Sequence, residues 1–292
     1  MRRIIPLIAV CAAMPLGAQG STDIYLAPLS MQNGRPVIGA PVNLTNRPGY
    51  DNQPSFTPDS RAILYTSTRE DKQSDIYKID IATKAITRVT TTPESEYSAT
   101  VMPGGKRFSV IRVERDSTQR LWSFALDGSD PRVVIEPLKP VGYHAWIDAN
   151  NLALFVLGRP NALVHTDVRT QKSDTLARQI GRSLAPLPGG GGFSFVRQAD
   201  STFTLMAAKW PGFVTTEVAV LPRGSQDIAW VSPSLVLAGS KSRLLAWTKS
   251  TAVWDAVADF AAAGLTDITR LAVSPDGRWL AIVATPASEA RR

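Results

Sequence analysis

One unit recurs along this chain and restricts its folding more than any other feature: a short apolar strand, a turn built on proline, and a second apolar strand. It is plainest in Gln53-Pro54-Ser55-Phe56-Thr57-Pro58-Asp59-Ser60-Arg61-Ala62-Ile63-Leu64-Tyr65-Thr66-Ser67 and in Leu271-Ala272-Val273-Ser274-Pro275-Asp276-Gly277-Arg278-Trp279-Leu280-Ala281-Ile282-Val283. Proline presets the turn angle, and Asp and Gly favour tight turns. Weaker copies run Val101–Phe108, Trp146–Leu154, Leu187–Phe195 and Trp230–Leu237. Anchoring each turn at Pro58, Pro103, Ala149, Pro188, Pro233 and Pro275 gives gaps of 45, 46, 39, 45 and 42 residues. That period fits one four-stranded blade of a β-propeller.

A third strand with alternating apolar residues follows each of the first five hairpins: Asp75–Ile79, Arg120–Phe124, Ala162–His165, Phe203–Met206 and Arg243–Trp247. The fourth strand is clearest at Ile86–Thr90. Long helical periodicity is nearly absent; the alanine-rich stretch Ala256–Ala263 reads as a short helix or a strand. After Val283 only nine residues remain, too few for two more strands. Ser21-Thr22-Asp23-Ile24-Tyr25-Leu26 echoes Ser74-Asp75-Ile76-Tyr77-Lys78, and Val42-Asn43-Leu44-Thr45 echoes Arg88-Val89-Thr90. The N-terminal segment therefore reads as the third and fourth strands of the last blade, closing the ring and removing an open sheet edge. The expected fold is all-β: a six-bladed β-propeller of four-stranded antiparallel blades over residues 19–285, with a short tail at 286–292.

The Pro-Ser-Phe-Thr-Pro-Asp-Ser-Arg unit and Asp75-Ile76-Tyr77 resemble the repeats of TolB-type β-propellers, which also occur in the propeller domains of prolyl oligopeptidase-like proteins. The likeness is strong in the first and sixth hairpins and spans nearly the whole mature chain once the degenerate copies are counted. It implies an exported six-bladed propeller serving as a protein-interaction platform, and it fixes no ligand.

Residues 1–18 form a separate object. Arg2 and Arg3 precede the apolar run Ile4–Ala13, and Leu16-Gly17-Ala18 offers a small-residue cleavage site. This is the layout of a secretory signal peptide, too short to span a bilayer by itself, although an uncleaved anchor shares the same residues. The only cysteine, Cys11, falls inside the run and follows Val10, so lipidation is not expected and the mature chain has no disulfide. The formal charge of +7 is spread along the chain with no basic stripe, which argues against nucleic-acid binding.

Catalytic patterns are poorly represented. His144 and His165 are the only histidines. No Gly-x-Ser-x-Gly elbow occurs, and nothing after Val283 could build an α/β-hydrolase domain. The two histidines lack catalytic-zinc spacing. Gly189–Gly192 joins two strands instead of leading into a helix, so it reads as a turn and not as a phosphate cradle. Glu70, Asp71 and Asp75, like Glu114 and Asp116, lack calcium-loop spacing and are interleaved with Arg69, Lys72, Arg112 and Arg115. No cofactor is expected.

Counting back six residues from each turn anchor gives Asn52, Tyr97, Tyr143, Arg182, Asp227 and Thr269, one per blade, as candidate partner-binding residues at the mouth of the central channel. Two aromatic faces, a guanidinium and a carboxylate suit an interface. The leading expectation is a non-catalytic protein-binding module of the cell envelope, periplasmic or secreted, taking a protein or peptide partner. A sugar- or peptide-binding propeller, or a lyase or lactone hydrolase working in the central pocket, is the alternative. No membrane span is expected after cleavage. The intact mass of the exported protein should correspond to a chain beginning at or within a few residues of Gln19; retention of Met1–Ala18 would mark an anchor instead.

Overall fold

The structure is a computed structural model that describes residues 20–69 and 71–287. The leader, Cys11, Glu70 and the end of the tail lie outside the described residues. Six antiparallel sheets make up the fold. Five of them take four strands each in simple sequence order, starting at innermost strands Tyr50–Phe56, Ser95–Val101, Val141–Trp146, Ile180–Pro186 and Ile228–Ser232. These are blades 1 to 5. Blade 6 joins both ends of the chain: Leu265–Val273 is innermost, Trp279–Pro286 comes next, and Asp23–Gln32 follows. Val42–Asn43 then pairs with Asp23–Gln32 at the outside, as the repeat comparison predicts. The fold is a six-bladed β-propeller.

Burial falls from the axis outward. The second strand of blade 1, Ala62–Thr68, is buried at six of its seven positions, because a neighbouring blade covers each of its faces. This is why the sequence shows a continuous apolar run there and not an alternation. Ile63 and Tyr65 pack into the core shared with blade 6, together with Ala281 and Val283. Leu64, between them, packs with Phe108 and Val110 of blade 2. Successive side chains thus serve two different cores. Outermost strands such as Lys172–Arg178 are largely exposed and polar.

Closure rests on six consecutive register pairs, from Asp23 opposite Ala284 to Pro28 opposite Trp279. The echoed segments make the same side-chain bonds. Thr45 Oγ1 accepts from the Ile24 amide at 3.1 Å, and Thr90 Oγ1 accepts from the Ile76 amide at 2.9 Å. Asp23 accepts from Asn43 at 2.9 Å, and Asp75 holds Arg88 at 2.6 Å.

Two details were not foreseen. The strand Asp23–Gln32 overshoots its partner and folds back on Arg35–Ile38 through Asn33-Gly34, whose φ values are 50° and 76°. Asn-Gly is a strong hairpin signal, but the repeat comparison passes over it because it lies in an insertion within blade 6. The alanine-rich stretch divides: Trp254–Asp259 is a strand, and Ala261–Ala263 a single 3-10 turn.

Deleting Thr22–Thr45 should yield an insoluble protein or a large drop in Tm, since Ile24, Tyr25 and Leu26 are each at most 6% exposed, and burying such side chains contributes roughly 1.5–3 kcal/mol apiece. A truncated chain that melts like the mature protein would contradict closure by this strand.

Candidate binding cavity at the ring axis

The innermost strands enclose a cavity of about 890 Å³. Hairpin turns at Pro58, Pro103–Gly105 and Pro275 rim one end. Phe56, Trp146, Leu184, Trp230 and Leu271 contribute apolar wall. Every innermost strand runs toward its turn, so residues early in these strands stand at the inner end, away from the rim.

Four side chains there form one connected set. Arg182 of blade 4 grips Asp227 of blade 5, with Nη2 to Oδ2 at 2.5 Å and Nε to Oδ2 at 3.1 Å. Arg270 of blade 6 reaches the other carboxylate oxygen at 3.3 Å. Its Nη2 donates to the Tyr143 hydroxyl of blade 3 at 3.0 Å. Blades 3 and 6 stand opposite each other in a six-bladed ring, so this bond crosses the axis. The Arg270 guanidinium also lies 5.1 Å from the centre of the Tyr143 ring. Burial opposes a charge on Arg270, but Asp227 and the Tyr143 and Tyr50 phenols more than offset it, and its pKa lies above the ordinary value. Tyr50 of blade 1 is near enough to feel Arg270, Tyr143, Tyr97 and Arg182, and burial pushes its pKa up to about 12. Blade by blade, the electrostatic neighbourhood is Tyr50, Tyr97, Tyr143, Arg182, Asp227 and Arg270.

Of the six candidates from the sequence, Tyr143, Arg182 and Asp227 line the cavity, whereas Asn52, Tyr97 and Thr269 do not. Asn52 is buried and donates its amide to the hydroxyl of Thr22 on the closing segment, at 3.3 Å. The hydroxyl of Thr269 is buried away from the cavity lining. A constant count cannot follow these strands, each of which is interrupted by a bulge. Three residues span two of the partner strand between Asn52 and Ser55, and likewise between Tyr97 and Thr100. Four span two between Ile180 and Leu184, and between Thr266 and Arg270. Tyr50 stands eight residues before its anchor and Arg270 five, where the other four stand six before theirs; the bulges alone do not set these offsets, since blades 1 and 2 share one pattern and blades 4 and 6 the other. Arg270 had one visible signal, a lone charge within an otherwise uncharged innermost-strand segment, Ile268–Val273.

His144 sits on the innermost strand of blade 3, buried, with Nε2 2.7 Å from Ser109 Oγ of blade 2. The indole of Trp146 donates to the same oxygen at 2.9 Å, and Ser109 Oγ donates to the Thr100 carbonyl at 3.3 Å. Blades 4 and 5 repeat this tie without a histidine: Trp230 donates to Ser194 at 2.9 Å, and Ser194 to the Ala185 carbonyl at 3.4 Å. The Ser–His pair is therefore part of a blade-to-blade tie, with no acid among the described residues bound to Nδ1 to orient the ring. His165 packs 4.0 Å from Trp210 and bonds Asn151 at 2.8 Å. Gly189–Gly192 is a turn with positive φ throughout, from 73° to 159°. Glu114 is tied to Arg120 and Trp122, and Asp75 to Arg88. No group of three or more His, Cys, Asp and Glu among the described residues could hold a metal ion.

No known protein-family profile matches the chain. Solved structures do. A putative TolB from Agrobacterium tumefaciens superimposes with a TM-score of 0.69 at 14% identity, covering 91% of this chain and 99% of that one. TolB from Acinetobacter baumannii gives 0.55 at 18% identity over 68% of this chain, which spans about half (52%) of that protein. An oligogalacturonate lyase in complex with manganese gives 0.54 at 13% identity, covering 86% and 81%. The fold is thus the propeller of TolB-type proteins, and it is shared with an enzyme.

Burial holds the His144 pKa down at about 4 from 6.5. As pH falls, the unfolded chain takes up this proton before the native chain does. The stability contributed by the neutral ring is therefore complete above about pH 6.5 and lost toward pH 4. The shift corresponds to roughly 3 kcal/mol. Between pH 7 and 5 the Tm of the wild type should fall further than that of His144→Gln, and parallel falls would show that His144 is not the group titrating.

Proposed function

We propose that the protein is an exported, non-catalytic binding module, periplasmic or secreted, that receives a protein or peptide segment of the cell envelope in its central cavity. The observation that carries this reading is the cavity itself: about 890 Å³ with apolar and aromatic walls and converging polar groups at one end, within the usual size range of ligand pockets. Tyr143, Arg182 and Asp227 are its partner-contacting residues among those the sequence singles out, with Arg270 beside them. Export is supported by the N-terminal leader pattern, and no helix among the described residues is long and apolar enough to cross a membrane. The TolB-like fold fits a role in protein interaction, although fold alone does not fix function.

The likeness to oligogalacturonate lyase favours a second reading, a carbohydrate-binding or lyase propeller, in which the half-buried Trp230 would meet a sugar ring. Against catalysis stand the sealed Ser109–His144 tie and the lack of a metal-ligating group among the described residues.

Immobilised mature protein incubated with an envelope lysate should retain a defined partner. Arg182→Ala or Trp230→Ala should weaken that capture by roughly 1–4 kcal/mol while the ring stays folded, and Tyr97→Ala, outside the lining, should have a smaller effect. Unchanged capture by the folded Arg182 and Trp230 variants would move the site off the cavity. Cleavage of polygalacturonate in the presence of manganese would establish the enzyme reading.

A further inference from the structure

Resting on the cavity as the binding site, we infer that its inner end is a carboxylate receptor, with Arg182, Arg270 and Tyr143 taking the anionic end of an occupant whose apolar body lies along the walls toward the turns. The charged residues lining the cavity are Arg182, Asp227 and Arg270, two cations to one anion. Asp227 alone serves both guanidiniums, through both of its oxygens. Arg182 remains 36% exposed, and its Nη1 has no partner among the described residues. The Tyr143 hydroxyl accepts from Arg270 and so keeps its own proton to donate. A planar guanidinium matches the two oxygens of a carboxylate, and an apolar surround strengthens such a bond. The net charge of the set favours a monoanion: one carboxylate balances it, while a phosphate dianion would leave excess negative charge beside Asp227. The walls carry Phe56, Trp146, Trp230, Leu184 and Leu271 and no other acid. Two sources present this chemistry, the terminal carboxylate of a polypeptide and a free carboxylic acid with an apolar tail.

Both are testable through Trp146 and Trp230, whose fluorescence reports on the cavity, with calorimetry as a check. The probes are 4-phenylbutyrate and 4-phenylbutyramide, phenyl phosphate, and the hexapeptide acetyl-Ala-Leu-Ala-Phe-Ala-Leu as free acid and as amide. At least one acid should bind about tenfold more tightly than its amide, the size of effect a charged hydrogen bond gives. Arg182→Gln should abolish that preference. Asp227→Asn, which removes the competing carboxylate, should tighten acid binding several-fold; a purely structural role would weaken binding in both variants. Binding of the peptide acid but not phenylbutyrate assigns a chain terminus, and the reverse assigns a small acid. Equal binding of acid and amide overturns the carboxylate receptor and leaves the cavity as a binding site. Tighter binding of phenyl phosphate also overturns it. If neither acids nor amides bind at millimolar concentration, the receptor and the cavity reading fall together. A melting curve for each variant confirms that the ring is folded; should Asp227→Asn not fold, the acid–amide comparison in wild type and Arg182→Gln still decides.

Discussion

The pairing of Asp23–Pro28 with Trp279–Ala284 is the contact on which the rest of the ring depends. Each core lies between two blades, not within one. Ile63 and Tyr65 need Ala281 and Val283 of blade 6, whereas Leu64 needs Phe108 of blade 2. No blade can therefore bury its own faces, and the last interface is complete only when the first strand of the chain docks beside the last. Docking also brings Thr22 against blade 1, where its amide bonds the Gly49 carbonyl at 3.0 Å and its hydroxyl the Asp51 carbonyl at 3.0 Å. Asn52 completes that junction, which is why a residue that counts as channel-facing is instead committed to holding the ring shut.

The ring was legible because its punctuation is chemical. Proline and Asp fix turns wherever they fall, and even the copy at Ala149, without proline, forms its hairpin: Asp148 accepts from the Asn150 amide at 2.8 Å and the Asn151 amide at 3.0 Å. The echo between Asp23-Ile24-Tyr25 and Asp75-Ile76-Tyr77 carried the closure because the isoleucine amide of each segment bonds a threonine hydroxyl two residues past the end of its fourth strand. The cavity was less legible. Its residues stand at unequal distances from their turns, and the bulges that interrupt the innermost strands leave little trace in composition. Gln53 and Ser98 sit at positive φ without being glycine, and Asp267 does the same ahead of Arg270, so nothing in the residue types announced the slips.

A repetitive fold here carries a site without repetition. Six related strands bring three phenols, two guanidiniums and one carboxylate into one electrostatic neighbourhood, of which one phenol, both guanidiniums and the carboxylate line the cavity, and the excess positive charge sits on blades 4 and 6 with Asp227 of blade 5 between them. The TolB-type likeness extends to the scaffold; the chemistry at the axis belongs to these particular side chains, which a superposition at 14% identity does not transfer.

The bond from Arg270 to Tyr143 has a mechanical meaning as well. A ring held only through neighbouring contacts can flatten like a hoop, whereas a chord across it resists that deformation. Here the chord joins blades 3 and 6, and Asp227 and Arg182 extend the tie through blades 5 and 4, so that half of the hoop is braced. Blades 1 and 2 lie outside the brace and are coupled at the axis by lighter links such as the Ser98 amide on the Gln53 side chain at 2.8 Å. A guest that drew Arg270 off Tyr143 would release this chord and leave the ring to its neighbour-to-neighbour contacts.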